Sequence, residues 1–163
     1  MGLFPHRRFT IMSGVSADEA LSRLGQATGR PAGAFSRRDD RSFVGDVNGE
    51  SFSIMRVSRG RNSFRPLIRG TVASSIKGSE VTGTARLHTI VIGFMGFLIA
   101  VLSLTLLQLL ASGISARRWD TTVLVIPGIV AFLIVMMRVA FAVESRRALE
   151  ELALVVGGDV REG

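Results

Sequence analysis

Two stretches of the chain carry almost no polar positions. From Thr89 to Ala111 the sequence reads TIVIGFMGFLIAVLSLTLLQLLA, without a single charge. From Thr121 to Met137 it reads TTVLVIPGIVAFLIVMM, and past Arg138 it stays apolar to Val143. A helix rises about 1.5 Å per residue and a bilayer core is about 30 Å thick, so about 20 apolar residues span it. The pattern predicts a transmembrane helical hairpin over residues 88–143, with spans at 89–111 and 121–143 and a turn at 112–120.

Ahead of the hairpin, apolar positions recur every second residue. Asn48-Gly49 sits between two alternating runs, and Asn-Gly favours the tight turn that fits strand twist. With those residues as the turn, Val47 pairs with Glu50, Gly45 with Phe52 and Phe43 with Ile54. Phe43, Val47, Phe52 and Ile54 then share one face, and Asp46, Ser51 and Ser53 the other. A second hairpin is expected to turn at Gly78-Ser79. It pairs Lys77 with Glu80, Ile76 with Val81, Val72 with Ala85 and Gly70 with Leu87. Thr71, Thr82, Thr84 and Arg86 fall on its polar face.

Residues 1–8 read as a basic leader and Phe9–Met12 as a first strand. Ser16-Ala-Asp-Glu19 matches a capping box, which starts a helix with Ala20, Leu21 and Leu24 on one stripe. Gly25 or Gly29 is expected to end it, and residues 30–41 read as a loop. Residues 1–87 are thus expected to form a small α+β domain, an antiparallel meander with that helix on its apolar face. After the spans, Ala148, Leu149, Leu152, Val155 and Val156 make a helical stripe. Residues 144–163 are expected to be an amphipathic helix, continuous with the second span and ending at Gly157-Gly158, with a short tail. The fold class is an α+β membrane protein: a small antiparallel sheet with one or two helices, a two-helix transmembrane hairpin and a C-terminal helix.

Charge adds a direction to this picture. The formal net charge is +7, and residues 1–87 hold 14 Lys/Arg against 7 Asp/Glu. A basic domain beside a bilayer is drawn to anionic headgroups, by about 1 kcal/mol per cation near the surface. Nucleic acid is set aside as a partner, because no recognition motif or aromatic-spaced basic run accompanies the charge. More Lys/Arg flank the hairpin on the domain side than in its turn, where only Arg117 and Arg118 stand. The positive-inside rule therefore places both termini in the cytoplasm.

The inventory for chemistry is thin: no cysteine, no tyrosine and two histidines, His6 and His88. No metal-ligand spacing, phosphate-cradling glycine loop or nucleophile–base arrangement is present, so no catalytic residue, metal or cofactor is expected. The candidate binding set is the arginines Arg59, Arg61, Arg65, Arg69 and Arg86, joined by Arg138 near the end of the second span. Guanidinium meets phosphate or carboxylate through two parallel hydrogen bonds. His88 and Trp119 are expected to anchor at the membrane interface. Gly93, Gly96 and Ala100 on the first span, with Gly128 and Ala131 on the second, are expected to let the helices approach closely, either within the hairpin or between copies.

The run SFSIMRVSRGRNSFRPLIRG, followed by a glycine-turn hairpin, Arg86-Leu87-His88 and a span, resembles a group of uncharacterised small bacterial membrane proteins. The resemblance covers residues 43–100 and is carried by Arg61-Asn-Ser-Phe-Arg-Pro66, an RNSF-x-P motif. It implies two spans, a β-rich cytoplasmic domain and a bacterial inner-membrane setting, and it implies no activity. The expectation is a non-enzymatic accessory or scaffold subunit that binds a partner protein or anionic lipid, as a homo-oligomer or part of a larger membrane complex. The alternative is an oligomeric pore or transporter component built from several hairpins.

Overall fold

The computed structural model describes residues 5–29, 41–57, 64–116 and 122–162. The chain divides into two units, residues 1–88 with 141–163, and Thr89–Ala140.

The first unit is built on a mixed seven-stranded sheet. Its strands are β1 (His6–Ser13), β2 (Thr28–Gly29), β3 (Phe43–Asn48), β4 (Ser51–Arg56), β5 (Pro66–Ser75), β6 (Gly78–Leu87) and β7 (Gly158–Glu162). Their lateral order is β2-β3-β4-β5-β6-β1-β7. All neighbours are antiparallel except β2 and β3. The expected meander is its centre, β3 to β6. Phe9–Met12, expected as a strand, lies within β1 and joins that meander beside β6, and the sheet is wider than expected because β7 extends it on that side and the short β2 on the other.

One face is apolar and buried. Phe9, Ile11, Phe43, Phe52, Ile54, Ile68, Val72, Val81 and Ala85 lie on it, each 4% exposed or less. Helix α1 (Ala17–Ala27) covers part of it with Ala20 and Leu24. It begins as its sequence dictates: the Ser16 side chain accepts from the Glu19 amide. It does not end at a glycine. Gly25 lies inside the helix and Gly29 in β2, because pairing of Thr28 and Gly29 with Phe43 and Val44 draws the chain into the sheet.

Helix α3 runs unbroken from Thr122 to Val156. Its last four turns belong to the sheet unit, where Ala148, Leu149, Leu152 and Val156 are buried. Arg56 and Glu151 form an ion pair from β4 to α3. Ser13 is buried, and its hydroxyl donates to the Val156 carbonyl at 2.6 Å, with the Gly157 carbonyl 3.2 Å away. It thereby serves carbonyls that a helix C-terminus leaves open. Gly157, at φ +69, then takes the left-handed conformation that reverses the chain. The residues after it are not a tail: they form β7, paired with β1 through Ile11 and Val160. The leader is likewise shorter than expected, since β1 begins at His6.

Both hairpins turn at other residues than expected. In the first, Gly49-Glu50 is the turn and Asn48 pairs with Ser51. The Val72 amide donates to the Glu50 carbonyl at 2.8 Å, which extends the β5 ladder to that point. In the second, Ile76-Lys77 is the turn and Val72 pairs with Val81. Lys77 does not pair with Glu80, which stands opposite Ala73 and Met12. The cause is β1: its ladder on β6 runs down to Ser13 opposite Ser79, holding Gly78 and Ser79 in the sheet. A Cβ on Gly78 would lie 2.3 Å from the Ser13 carbonyl oxygen, so the glycine is required by that approach. Each shift is by an even number of residues, so the side chains that remain in the strands keep their expected faces, whereas Ile76, expected on the apolar face opposite Val81, is exposed in the turn.

The second unit holds α2 (Thr89–Ala116) and the first half of α3. Both helices are long and apolar enough to cross a membrane, with a window of mean hydropathy 2.7 within Thr89–Gly113 and one of 2.5 within Val123–Val156. Their less exposed positions recur three and four apart: Met95, Ile99, Leu102 and Leu106 on α2, and Ile126, Val130, Leu133 and Met137 on α3. These less exposed stripes are made of large aliphatic side chains. Gly93, Ala100, Gly128 and Ala131 face outward, and nothing lies within 4 Å of a Cβ placed on Gly93 or Gly128. Four of the five small residues expected to let helices approach are thus exposed in the single chain. Gly96 is half-buried.

Candidate functional site

The face of the sheet opposite α1 and α3 carries the functional candidates. Strand alternation sends every second side chain there, and register aligns those side chains into rows across the strands. One row runs Arg8, Thr84, Arg69, Ser53, Asp46. The next, two residues along each strand, runs Thr10, Thr82, Thr71, Ser51, Asn48. A third, on the other side of the first, runs His6, Arg86, Leu67, Met55, Val44.

The first two rows line an open concavity of about 790 Å³. The Gly70–Gly83 pair also contributes to its lining. On the covered face, the Phe52 ring lies over Gly70 and the Phe9 ring over Gly83. A Cβ at those glycines would stand 2.7 and 2.8 Å from the respective Cζ atoms. Each ring thus fills the space that the glycine of the neighbouring strand leaves empty. The two middle strands of the site are thereby held together by backbone contact and aromatic packing behind it.

The electrostatics are simple. The charged groups in the concavity are Arg8, Arg69 and Asp46. Among the described residues, no side-chain hydrogen bond or ion pair engages Arg8 or Arg69. Adjacent strands are about 4.8 Å apart, so two arginines flanking Thr84 from β1 and β5 have Cα atoms about 10 Å apart. Their side chains are long enough to meet an anion above Thr84 from both sides. The Thr71 and Thr82 hydroxyls are 3.3 Å apart in the second row, and either can donate. Guanidinium is a donor only and keeps its proton, so this arrangement is suited to holding an anion rather than transferring a proton. Among the described residues, no group of three or more His, Cys, Asp or Glu side chains could hold a metal ion.

The sequence candidates are distributed unevenly around this site. Arg69 lines it, and Arg86 lies on the same face one row away. Arg65 is half-buried immediately before β5. Arg59 and Arg61 lie outside the described residues, as does Trp119. Arg138 is exposed on α3 in the helical unit, and His88 is half-buried at the one-residue junction between β6 and α2. Sequence reasoning missed Arg8 and Thr10, because Phe9–Met12 was read as a strand preceded by a leader. The signal was present: Arg7, Phe9, Ile11 and Ser13 continue one alternating face back from the apolar core, and Arg8, Thr10 and Met12 the other.

A smaller concavity, about 310 Å³, lies between β1, β7 and α3, lined by Arg7, Arg146, Leu149, Glu150 and Val160. Arg146 is paired there with Glu150 at 2.9 Å. Comparison of the chain with protein-family models, with characterised proteins and with solved structures returns no match.

Proposed function

We propose that the chain is a membrane-anchored, non-catalytic binding protein whose sheet unit holds an anionic group on its uncovered polar face. It serves as an accessory or scaffold subunit in a bacterial inner membrane, with both termini cytoplasmic. The observation that carries this reading is the pair Arg8 and Arg69, unengaged among the described residues and flanking Thr84 in one row. Asp46, two strands beyond Arg69 in the same row, offsets only part of their charge, and an anion bound above Thr84 would meet both cations at once. The two long apolar helices support the anchor. The excess of Lys/Arg on the domain side of the spans supports the orientation.

Vesicle co-flotation of the full chain tests the binding. Arg8→Gln/Arg69→Gln is expected to lower retention on anionic vesicles, or co-purification of an acidic partner, at least several-fold, with unfolding unchanged. Undiminished capture in both assays refutes the reading. Orientation is tested separately by Lys77→Cys and Asp159→Cys against Ser115→Cys. The first two positions are expected to react only from the cytoplasmic side and Ser115→Cys only from the other. The chain has no native cysteine to interfere.

A further inference from the structure

The row of hydroxyls beside the arginine pair narrows the ligand. We propose that this face binds a phosphate ester of a polyhydroxylated ring, the chemistry shared by a soluble sugar phosphate and by a phosphoinositol-type lipid headgroup. The inference rests on the anion-binding reading above and adds the identity of the anion and of the group attached to it.

The first row selects phosphate. A single guanidinium fork satisfies a planar carboxylate, whereas Arg8 and Arg69 flank Thr84 from the two neighbouring strands, so that both are long enough to reach one point above its hydroxyl. Three donor groups arranged around a point fit the tetrahedrally disposed oxygens of a phosphate.

The second row selects the substituent. Thr10, Thr82, Thr71 and Ser51 place four hydroxyls side by side across four strands, and Asn48 adds an amide. The row lies two residues from the arginines along each strand, about 7 Å away, which is the span of a phosphate and one sugar ring. The Ser51 hydroxyl donates to the Asn48 carbonyl at 3.0 Å and presents an acceptor, and a threonine hydroxyl, like that of a sugar, both donates and accepts. Asp46, at the end of the arginine row, supplies an acceptor beyond them. A nucleic acid would need exposed aromatic platforms for its bases, and the two phenylalanines of this region are buried, 3% and 4% exposed.

Isothermal titration of the full chain in detergent with myo-inositol 1-phosphate, inorganic phosphate and myo-inositol tests the proposal. The ester is expected to bind at least tenfold more tightly than inorganic phosphate, and free inositol not measurably. Arg8→Gln and Arg69→Gln are each expected to weaken the ester at least tenfold. Thr71→Val/Thr82→Val keeps the volume and removes the hydroxyls. It is expected to abolish the advantage of the ester while leaving inorganic phosphate unchanged. The source is read from nanodiscs: preference for phosphatidylinositol over phosphatidylglycerol assigns the ligand to a lipid, and titration by the soluble ester without that preference assigns it to a free metabolite. Equal binding of ester and inorganic phosphate, or an unchanged ratio in the threonine variant, overturns the proposal. If anionic vesicles are still captured through Arg8 and Arg69 in that case, the broader anion-binding reading stands. Loss of capture by every anionic probe removes both.

Discussion

Alanine placed at two glycines is expected to have opposite effects, for reasons visible in the sheet unit. Gly83→Ala puts a methyl group 2.4 Å from the Arg69 carbonyl oxygen, 2.8 Å from the Phe9 ring and 2.9 Å from the Gly70 Cα. Two of these three neighbours are backbone of the adjacent strand. The ladder between β5 and β6 must open or the Phe9 ring must leave its position. Overpacking of a close-packed core costs about 1–3 kcal/mol, and a backbone clash in mid-sheet belongs at the upper end or above. Gly25→Ala meets nothing within 4 Å, lies inside α1 and is exposed. There it removes only the entropic penalty of glycine in a helix, about 0.5–1 kcal/mol. For a unit near one hundred residues, about 1 kcal/mol moves the midpoint by about 4 °C. Thermal unfolding of the full chain in detergent, followed at the β-sheet circular dichroism band, is therefore expected to show a fall of more than about 10 °C for Gly83→Ala. Gly25→Ala is expected to raise the midpoint by about 2–4 °C. A neutral Gly83→Ala would refute the close pairing of Gly70 with Gly83 and the rings packed behind them. It would also remove the rigid support assigned to the Arg8–Thr84–Arg69 row.

Two further substitutions probe how α3 is tied to the sheet. Ser13→Ala removes the buried donor to the Val156 carbonyl and is expected to cost about 1–3 kcal/mol, with faster amide exchange confined first to Gly157–Val160. Unchanged protection of β7 would contradict that role. Arg56→Gln with Glu151→Gln, run as a double-mutant cycle, is expected to give a coupling of about 1 kcal/mol that shrinks at high salt. The pair is 28% and 27% exposed, so a coupling several times larger would mean that it is more deeply desolvated than its surface exposure indicates.

The two outward stripes of α2 and α3 show where composition misleads. Small residues at Gly93, Ala100, Gly128 and Ala131 suggest a close helix–helix contact, yet they are exposed in the single chain, and the less exposed stripes belong to Met95, Leu102, Leu106, Leu133 and Met137. Spacing identifies which residues share a stripe, and it does not say which stripe meets the neighbouring helix. Two stripes, one bulky and one small, were available, and only packing in three dimensions chooses between them. The candidate site divides in the same way. The sequence places Thr71, Thr82 and Thr84 on one polar face and names Arg69 only as one of the arginines in the stretch that joins the two hairpins. It does not place Arg8 and Thr10 there, because their membership depends on where β1 docks.

What the residues determined by themselves was local. The length of the two apolar runs sets the helices that can cross a bilayer, the Ser16–Glu19 spacing sets where α1 starts, and period-2 alternation sets which face each strand residue takes. Face assignment survived even though both turns moved, because the side-chain period is two and each shift preserved it. Only the tertiary structure decided the neighbours. It set β1 between β6 and β7, made a strand of the residues after Gly157, and gathered Arg8, Thr84 and Arg69 into one row. Strand partners far apart in the chain are chosen by the cooperative burial of one shared apolar face, a property that no short stretch of sequence contains.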